Sequence, residues 1–239
     1  MFPLRKFNLN LKQMLLLIES TIDISDPDFE SGSQINHNLH TAEACKIMFP
    51  NKDYMHLVGF IHDMGKIVMS SKLYNLPCYY VVGDIFPLGC EFSDKIIYYE
   101  YFKHNADFDK FIGNKCLYKD KCGFDNMIFS FSHDELMYNF LLENCNTYNS
   151  NFNNIHVFPE DAMYVIKYHS FYAWHQHGAY SNFANEKDWK YLDVLKKFQM
   201  CDLYSKSIDI DNINAKINLK YYEHLWEKYI GPIDKLYRW

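Results

Sequence analysis

The sequence lacks the features that mark membrane, secreted or nucleic-acid-binding proteins. Its only early apolar run, 15–18, is too short for a signal core or a membrane span. No run of Lys or Arg is long enough to follow a phosphate backbone, and the formal net charge is −6. No repeat or Pro/Gly-rich linker divides the 239 residues. We therefore expect one domain over 1–239 that binds neither nucleic acid nor a membrane.

The cysteines also lack a recognisable pattern. The seven thiols form an odd set without a CxxC pair, which is typical of reduced cysteines in the cytoplasm rather than of a disulfide framework. Hydrophobic residues make up 49% of the chain and charged residues 23%, a composition that folds without disulfides or partners. We expect a cytoplasmic monomer.

Apolar residues recur at helical spacing along much of the chain. One stripe begins at Leu11 and ends at Ile22, and another occupies 54–68. Further helices are predicted near 37–48, 134–145, 159–170, 187–206 and 218–230. Segment 78–89 is β-branched and aromatic, which predicts a short hairpin or an extended loop, and the Asn-rich stretch 144–154 predicts an exposed loop. The fold class predicted is an all-α helical bundle with at most a short hairpin.

The histidines are numerous, and most have an ordinary explanation as core or surface residues. Seven of the eleven are interpreted in this way: His40, His56, His104, His156, His175, His177 and His224. The other four occur with aspartates on predicted helices, and the set is His37, His62, Asp63, His133, His169 and Asp202. Neighbouring helical residues point about 100° apart, so Asp63 can bridge from an ion held by His62 to a second ion. Four histidines and two aspartates predict a site for more than one metal ion.

The order of these residues resembles that of the HD-domain superfamily of helical metalloproteins. Narrower motifs are similar, in the same order, to those of the myo-inositol oxygenase family. They are 53–66 (DYMHLVGFIHDMGK), 81–87 (VVGDIFP), 132–138 (SHDELMY), 169–175 (HSFYAWH) and 198–206 (FQMCDLYSK). The resemblance extends from about residue 7 to residue 239.

This resemblance implies a di-iron oxygenase that opens the ring of myo-inositol with dioxygen to give D-glucuronate. One iron would be held by His37, His62, Asp63 and Asp202, with Asp63 bridging to a second iron that His133 and His169 complete. The irons would form a mixed-valent Fe(II)/Fe(III) pair, and no organic cofactor would be needed. The residues implied to contact substrate hydroxyls are Asp23, Ser25, Lys66, Gly83, Asp84, Ser170 and Lys206.

Lys66 is the residue predicted to be catalytic. It follows His62 by one helical turn, so the two share a helix face and the ammonium group can reach a substrate oxygen at the metals. Lys206 has the same offset from Asp202. The family begins with a longer N-terminal region that covers the site and contributes an arginine. This sequence starts almost directly at the first shared helix, so we expect that cover and that arginine contact to be missing.

The same residues are compatible with two other functions. An HD-type phosphohydrolase would use similar ions to activate water and bind a phosphate, and it would need cationic residues near the metals. A catalytically silent relative would bind metal or a polyol without turnover. Release of phosphate from nucleotides would favour the first alternative. Iron and inositol binding without glucuronate formation would favour the second.

Overall fold

Helices form the framework of the protein in the computed structural model, which describes residues 6–21, 23, 34–113, 115–145, 158–203 and 218–239. Its α-helices are α1 (Leu11–Glu19), α2 (Gln34–Met48), α3 (Asp53–Ile61), α4 (His133–Cys145), α5 (Glu160–Tyr168), α6 (Tyr172–His175), α7 (Glu186–Leu203) and α8 (Leu219–Tyr229). Two short strands, β1 (Asn8–Leu9) and β2 (Tyr237–Arg238), pair antiparallel. The prediction of an all-α fold is confirmed.

Local sequence signals explain where several helices begin. Asn10 and Gln13 form a capping box at the start of α1, in which each side chain accepts a hydrogen bond from the other's backbone. The Ser132 hydroxyl accepts a hydrogen bond from the Glu135 backbone, so α4 begins at His133. Pro159 precedes α5, whose first turn carries two acidic residues that favour the positive end of the helix dipole.

The close crossing of α2 and α3 depends on a glycine. A Cβ atom at Gly59 would lie 2.7 Å from the Cα of Ala42, so only glycine permits this approach of the two backbones. Helix α8 also contacts α3. Its residues Lys228 and Tyr229 donate hydrogen bonds to the carboxylate of Asp53, the first residue of α3. The side-by-side packing of α2 and α3 brings His37 and His62 together, with ring centroids 5.3 Å apart.

The segment 54–68, predicted as one helix, is not α-helical in its second half. The α-helical geometry ends at Ile61, and a 3-10 helix covers His62–Met69. Every residue of this 3-10 helix is buried. Apolar spacing does not separate the two kinds of helix over such a short segment, because their repeats of about 3.6 and 3.0 residues per turn are too similar.

Of the two alternatives predicted for 78–89, the structure has the loop rather than the hairpin. Residues Cys78–Tyr80 form a 3-10 turn, and Gly83 has a φ of +94°. The segment pairs with residues 128–130 instead of with itself, since Leu88 donates to the Ile128 carbonyl and Ser130 donates to the Phe86 carbonyl. Of the Asn-rich stretch, 144–145 ends α4 and the rest lies outside the described residues, as does Ile22. Among the described helices, none is both long enough and apolar enough to span a membrane.

Candidate metal centre

The six predicted ligands lie together in the interior, and Asp63 stands between two sets of donors. One carboxylate oxygen of Asp63, Oδ2, lies 3.5 Å from His37 Nε2 and 3.4 Å from His62 Nε2. The carboxylate of Asp202 faces the same two nitrogens, with Oδ1 3.0 Å from His37 Nε2 and 3.2 Å from His62 Nε2. We call His37, His62 and Asp202 the first half of the centre.

The other oxygen of Asp63 faces a second pair of histidines. Its Oδ1 atom lies 3.1 Å from His133 Nε2 and 3.8 Å from His169 Nε2, and these two nitrogens are 3.1 Å apart. His133 and His169 form the second half. Both triads that contain Asp63, with His37 and His62 or with His133 and His169, have the spacing of a metal site.

Backbone contacts bring the two halves to this separation. His62 and Asp63 open the buried 3-10 helix directly after α3, while His133 is the first residue of α4. A Cβ atom at Gly65 would lie 2.1 Å from the carbonyl oxygen of His133, so the 3-10 helix touches the α4 backbone there. His169 follows the last residue of α5, and Asp202 lies near the end of α7.

Hydrogen bonds on the far side of three imidazole rings fix their orientation. The Nδ1 atom of His62 lies 2.9 Å from the Gly59 carbonyl oxygen, and that of His133 lies 2.9 Å from the Val81 carbonyl oxygen. His169 Nδ1 lies 3.0 Å from Asp134 Oδ1 and 3.1 Å from the Ile166 carbonyl oxygen. Because these acceptors require a proton on Nδ1, each Nε2 is left with its lone pair directed toward the centre, as a metal ligand needs.

The donor set and its spacing fit metal ions. His62 Nε2 is buried and has no hydrogen-bond partner among the described residues, which is costly unless something else occupies its lone pair. Neighbouring ligands of an octahedral ion with bonds of about 2.1 Å are about 3.0 Å apart. The distances of 3.0 to 3.5 Å in the first half are close to that value. Imidazole and carboxylate ligands suit iron, among other transition metals.

The electrostatics also favour cations. Burial by itself lowers the pKa of His62, but the negative charges of Asp63 and Asp202 outweigh it and raise that pKa. Burial raises the pKa of Asp63, yet the charges of His62 and Lys66 and the contacts with the imidazoles of His133 and His169 bring it well below its usual range. The carboxylates of the centre are therefore ionised, and they concentrate negative charge in a buried space.

Lys66 lies beside the bridging carboxylate. Its Nζ atom is 3.0 Å from Asp63 Oδ2 and 2.9 Å from Asp23 Oδ2, so it forms ion pairs with both. Burial would lower the pKa of this ammonium group, but the charges of Asp63 and Asp23 raise it above its ordinary value. Two residues predicted to bind substrate, Asp23 and Lys66, are thus in contact beside the bridge.

The other predicted substrate residues lie beside the second half. The Ile85 backbone donates to the Ser170 carbonyl, which joins the Gly83-Asp84 turn to the residue after His169. Asp84 Oδ2 accepts from the Ile97 backbone at 3.1 Å, whereas its Oδ1 is buried without a hydrogen-bond partner among the described residues. Ser25 and Lys206 lie outside the described residues, and their roles stay predictions.

Sequence reasoning missed three residues at the centre. Gln34 Nε2 donates to Asp63 Oδ2 at 2.8 Å, and its only sequence signal is its position one turn before His37. Asp134 accepts from His169 and from the Ser170 backbone; burial raises its pKa, but the charges of His169 and His133 lower it to about 2. Burial raises the pKa of the Tyr172 hydroxyl, and the charges of four carboxylates, those of Asp202, Asp134, Asp63 and Asp84, raise it further.

None of the described histidines interpreted as core or surface residues belongs to either metal triad, and His156 lies outside the described residues. His175 Nε2 contacts the carbonyl oxygen of His169 at 2.9 Å, on the outer side of that residue. His56 contacts the Tyr221 hydroxyl and the Phe49 carbonyl oxygen. Neither belongs to a group of described residues with metal-site spacing.

Comparisons with known proteins identify close relatives of the whole chain. The sequence model of the family described as "Myo-inositol oxygenase" matches residues 3–237. "Inositol oxygenase" of Dictyostelium discoideum is 40% identical over 218 residues, covering 89% of this chain and 70% of the relative. "Inositol oxygenase 1" of Arabidopsis thaliana is 38% identical over 228 residues, covering 95% and 69%. "Inositol oxygenase" of Danio rerio is 35% identical over 227 residues, covering 93% and 76%.

Proposed function

Because this chain belongs to the myo-inositol oxygenase family, we propose that it opens the ring of myo-inositol with dioxygen at two irons and forms D-glucuronate. The observation that carries the two-metal part of this proposal is the placement of Asp63. Its Oδ2 faces one pair of imidazole nitrogens and its Oδ1 faces another. A carboxylate shared in this way supports a pair of ions rather than a single one.

The six side chains of the two halves and the bridge would hold the irons. When bound, the irons supply the redox chemistry that activates dioxygen and the Lewis acidity that polarises substrate hydroxyls. The first half provides two histidines and Asp202 besides the bridge, whereas the second half provides two histidines. The second half therefore has more positions open, and we assign the inositol to that side, where Asp84 and Ser170 lie.

The protein side chains must grip a substrate that has no charge and many hydroxyls. Such a molecule is recognised only through directional hydrogen bonds. The buried Asp84 Oδ1 is an acceptor without a partner among the described residues, and a hydroxyl of inositol would donate to it. Lys66 remains an ammonium group because its pKa is raised, so it would donate to a substrate oxygen while Asp23 fixes its position.

The phosphohydrolase alternative is disfavoured by the family match and by the charge around the centre. A phosphate would need a cation that is available to bind it. Lys66 forms ion pairs with two carboxylates, Asp23 and Asp63, which already balance its charge. The other alternative, a catalytically silent relative, would bind metal or a polyol without forming product, so a measurement of product distinguishes it from the oxygenase.

The test is D-glucuronate formation from myo-inositol by iron-loaded protein under air with a mild reductant. Product formation with two irons bound per chain is the expected result. Two bound irons without product would overturn the oxygenase in favour of the silent relative or the phosphohydrolase. Phosphate release from a panel of nucleotides would then separate those two.

The cellular and quaternary context follows the same proposal. All seven cysteines are free thiols, which supports a reducing compartment such as the cytoplasm. We assign residues 1–239 to one domain, because the described helices share one large buried core. We also propose that the protein is a monomer. Light scattering of the purified protein gives the mass in solution, and a dimer would contradict the monomer.

A further inference from the structure

The bridging carboxylate is contacted unequally on its two oxygens. Gln34 Nε2 donates to Asp63 Oδ2 at 2.8 Å, and Lys66 Nζ contacts the same oxygen at 3.0 Å. The other oxygen, Oδ1, faces the imidazole nitrogens of His133 and His169. Within the described residues, no amide or ammonium donor contacts Oδ1. The bridge is therefore supported by the protein from one side.

The amide of Gln34 has a defined orientation. Asn38, one turn further along α2, donates its Nδ2 to the Phe60 carbonyl at 3.2 Å, so its Oδ1 faces Gln34. Gln34 Nε2 lies 3.4 Å from that Oδ1 and 2.8 Å from Asp63. Both acceptors need a donor, so the amide must present its NH₂ group rather than its oxygen. Gln34 and Asn38 are both buried, and the chain of amides ties α2 to α3.

The position of Gln34 links this amide chain to a ligand. Gln34 precedes His37 by three residues on α2, so both side chains project from the same helix face. They approach the same oxygen of Asp63, the amide at 2.8 Å and the imidazole at 3.5 Å. A shift of α2 would therefore move a ligand and the support of the bridge together.

We propose that Gln34 is a positioning residue for the metal pair: it holds Asp63 so that each carboxylate oxygen faces one half, and it makes the bridge electronically unequal. Hydrogen bonds from Gln34 and Lys66 withdraw electron density from Oδ2, while Oδ1 keeps its full donor strength for the second half. Hydrogen-bond partners of a ligand tune both its orientation and its donor strength. The inference rests on the proposed two-iron function.

The test compares wild type with Gln34→Met, which keeps the length of the side chain but removes its donors, and with Gln34→Asn, which keeps the amide on a shorter stem. Gln176→Met at an exposed glutamine is the matched control. The readouts are iron affinity by anaerobic Fe(II) titration, the electron paramagnetic resonance spectrum of the mixed-valent pair, and the melting temperature of metal-free protein. We expect Gln34→Met to bind iron roughly 10- to 100-fold more weakly and to change the spectrum. Gln34→Asn should fall between Gln34→Met and wild type, and the control should match wild type.

The outcomes separate this inference from the proposal on which it rests. Wild type that fails to bind two irons would overturn the two-iron function itself. Wild type with two irons, together with Gln34→Met of unchanged affinity and spectrum, would overturn the role of Gln34 alone. A lowered melting temperature with unchanged iron affinity and spectrum would also overturn it, since it would reveal only packing of α2. If Gln34→Met does not fold, Gln34→Asn decides by the same readouts.

Discussion

The first and second halves of the centre use their additional carboxylate in different ways. In the first half, Asp202 Oδ1 lies within 3.2 Å of both imidazole nitrogens that face the bridge. In the second half, Asp134 lies behind His169 and contacts its Nδ1, on the side of the ring away from the bridge. A carboxylate that faces the metal fills a coordination position, whereas one behind an imidazole orients the ligand and leaves that position open. Each half thus has one additional aspartate, but the second half keeps more coordination positions open for substrate.

The largest effect should come from the residue that both halves share. Asp63→Ala removes one donor from each half and one of the two carboxylates paired with Lys66, so we expect both irons to be lost. Iron analysis after gel filtration measures this loss, and Asp94→Ala at an exposed position is the control. An Asp63→Ala protein that keeps its full iron content would remove the basis for a shared bridge.

Removal of a ligand that belongs to one half should cause loss of the iron of that half alone. His133→Ala leaves the second half with one histidine and the bridge, while His37, His62, Asp63 and Asp202 keep their positions. The expected content is one iron per chain, measured by the same analysis. Complete loss of iron would mean that the halves do not bind independently, and the comparison between them would fail.

The carboxylate behind His169 should matter less than a direct ligand. Asp134→Asn weakens the hydrogen bond to His169 Nδ1, so we expect the second iron to bind roughly 10- to 100-fold more weakly and the first to be unaffected. Stepwise Fe(II) titration resolves the two events. Asp202→Asn provides the contrast, because its effect should fall on the first iron. A reversed pattern would contradict the assignment of the two carboxylates.

Substitution of Asp84 should weaken substrate binding and leave metal binding unchanged. In Asp84→Asn the amide oxygen must accept from the Ile97 backbone, so an NH₂ group replaces the Oδ1 acceptor. We expect the KM for myo-inositol to rise roughly tenfold, while iron content is unchanged. The variant also has a pH signature. Burial raises the pKa of Asp84 from its ordinary 3.8 to about 6.

Folding therefore favours the protonated form of Asp84. The stability that this group contributes is present below about pH 4 and is lost as pH rises through about 6. Melting temperatures across that range should fall with pH more steeply in wild type than in Asp84→Asn. If the melting temperatures of the two proteins change in parallel with pH, the pKa of Asp84 is not raised by folding.

The smallest effect on iron is expected at the histidines outside the centre. His175→Ala removes a contact to the His169 carbonyl and lowers stability by about 1–3 kcal/mol, but both irons should remain. His177→Ala, at an exposed position, should change neither stability nor iron content. Loss of iron from either variant would mean that the ligand set of the two halves is incomplete.

Sequence patterns predicted the helices and the candidate ligands better than the connections between them. The structure brings together all six predicted ligands, which carry recognisable ligand chemistry within or beside predicted helices: His37, His62, Asp63, His133, His169 and Asp202. The sequence left a hairpin and a loop open for 78–89, because the partner of that segment, 128–130, is distant in sequence. Local β-propensity does not reveal such a partner.

Gln34 and Asp134 show a different limit. An amide carries no sign of metal chemistry, and its direction toward Asp63 arises only after α2 has packed on α3. Asp134 follows His133 in the sequence, yet its carboxylate contacts the Nδ1 atom of His169, which follows α5. Its role depends on tertiary contact between α4 and α5, which no spacing rule encodes.

The contact between Gly65 and the His133 carbonyl has a consequence for how tolerance to mutation should be interpreted. Because a Cβ atom at Gly65 would lie 2.1 Å from that oxygen, every other residue must push α4 away from the 3-10 helix. A saturation scan scored by iron content would therefore rank position 65 with the ligands, although Gly65 offers the centre no atom. Loss of iron on substitution of Gly65 would reflect the short distance between two backbones. It would not mean that Gly65 takes part in the chemistry of the centre.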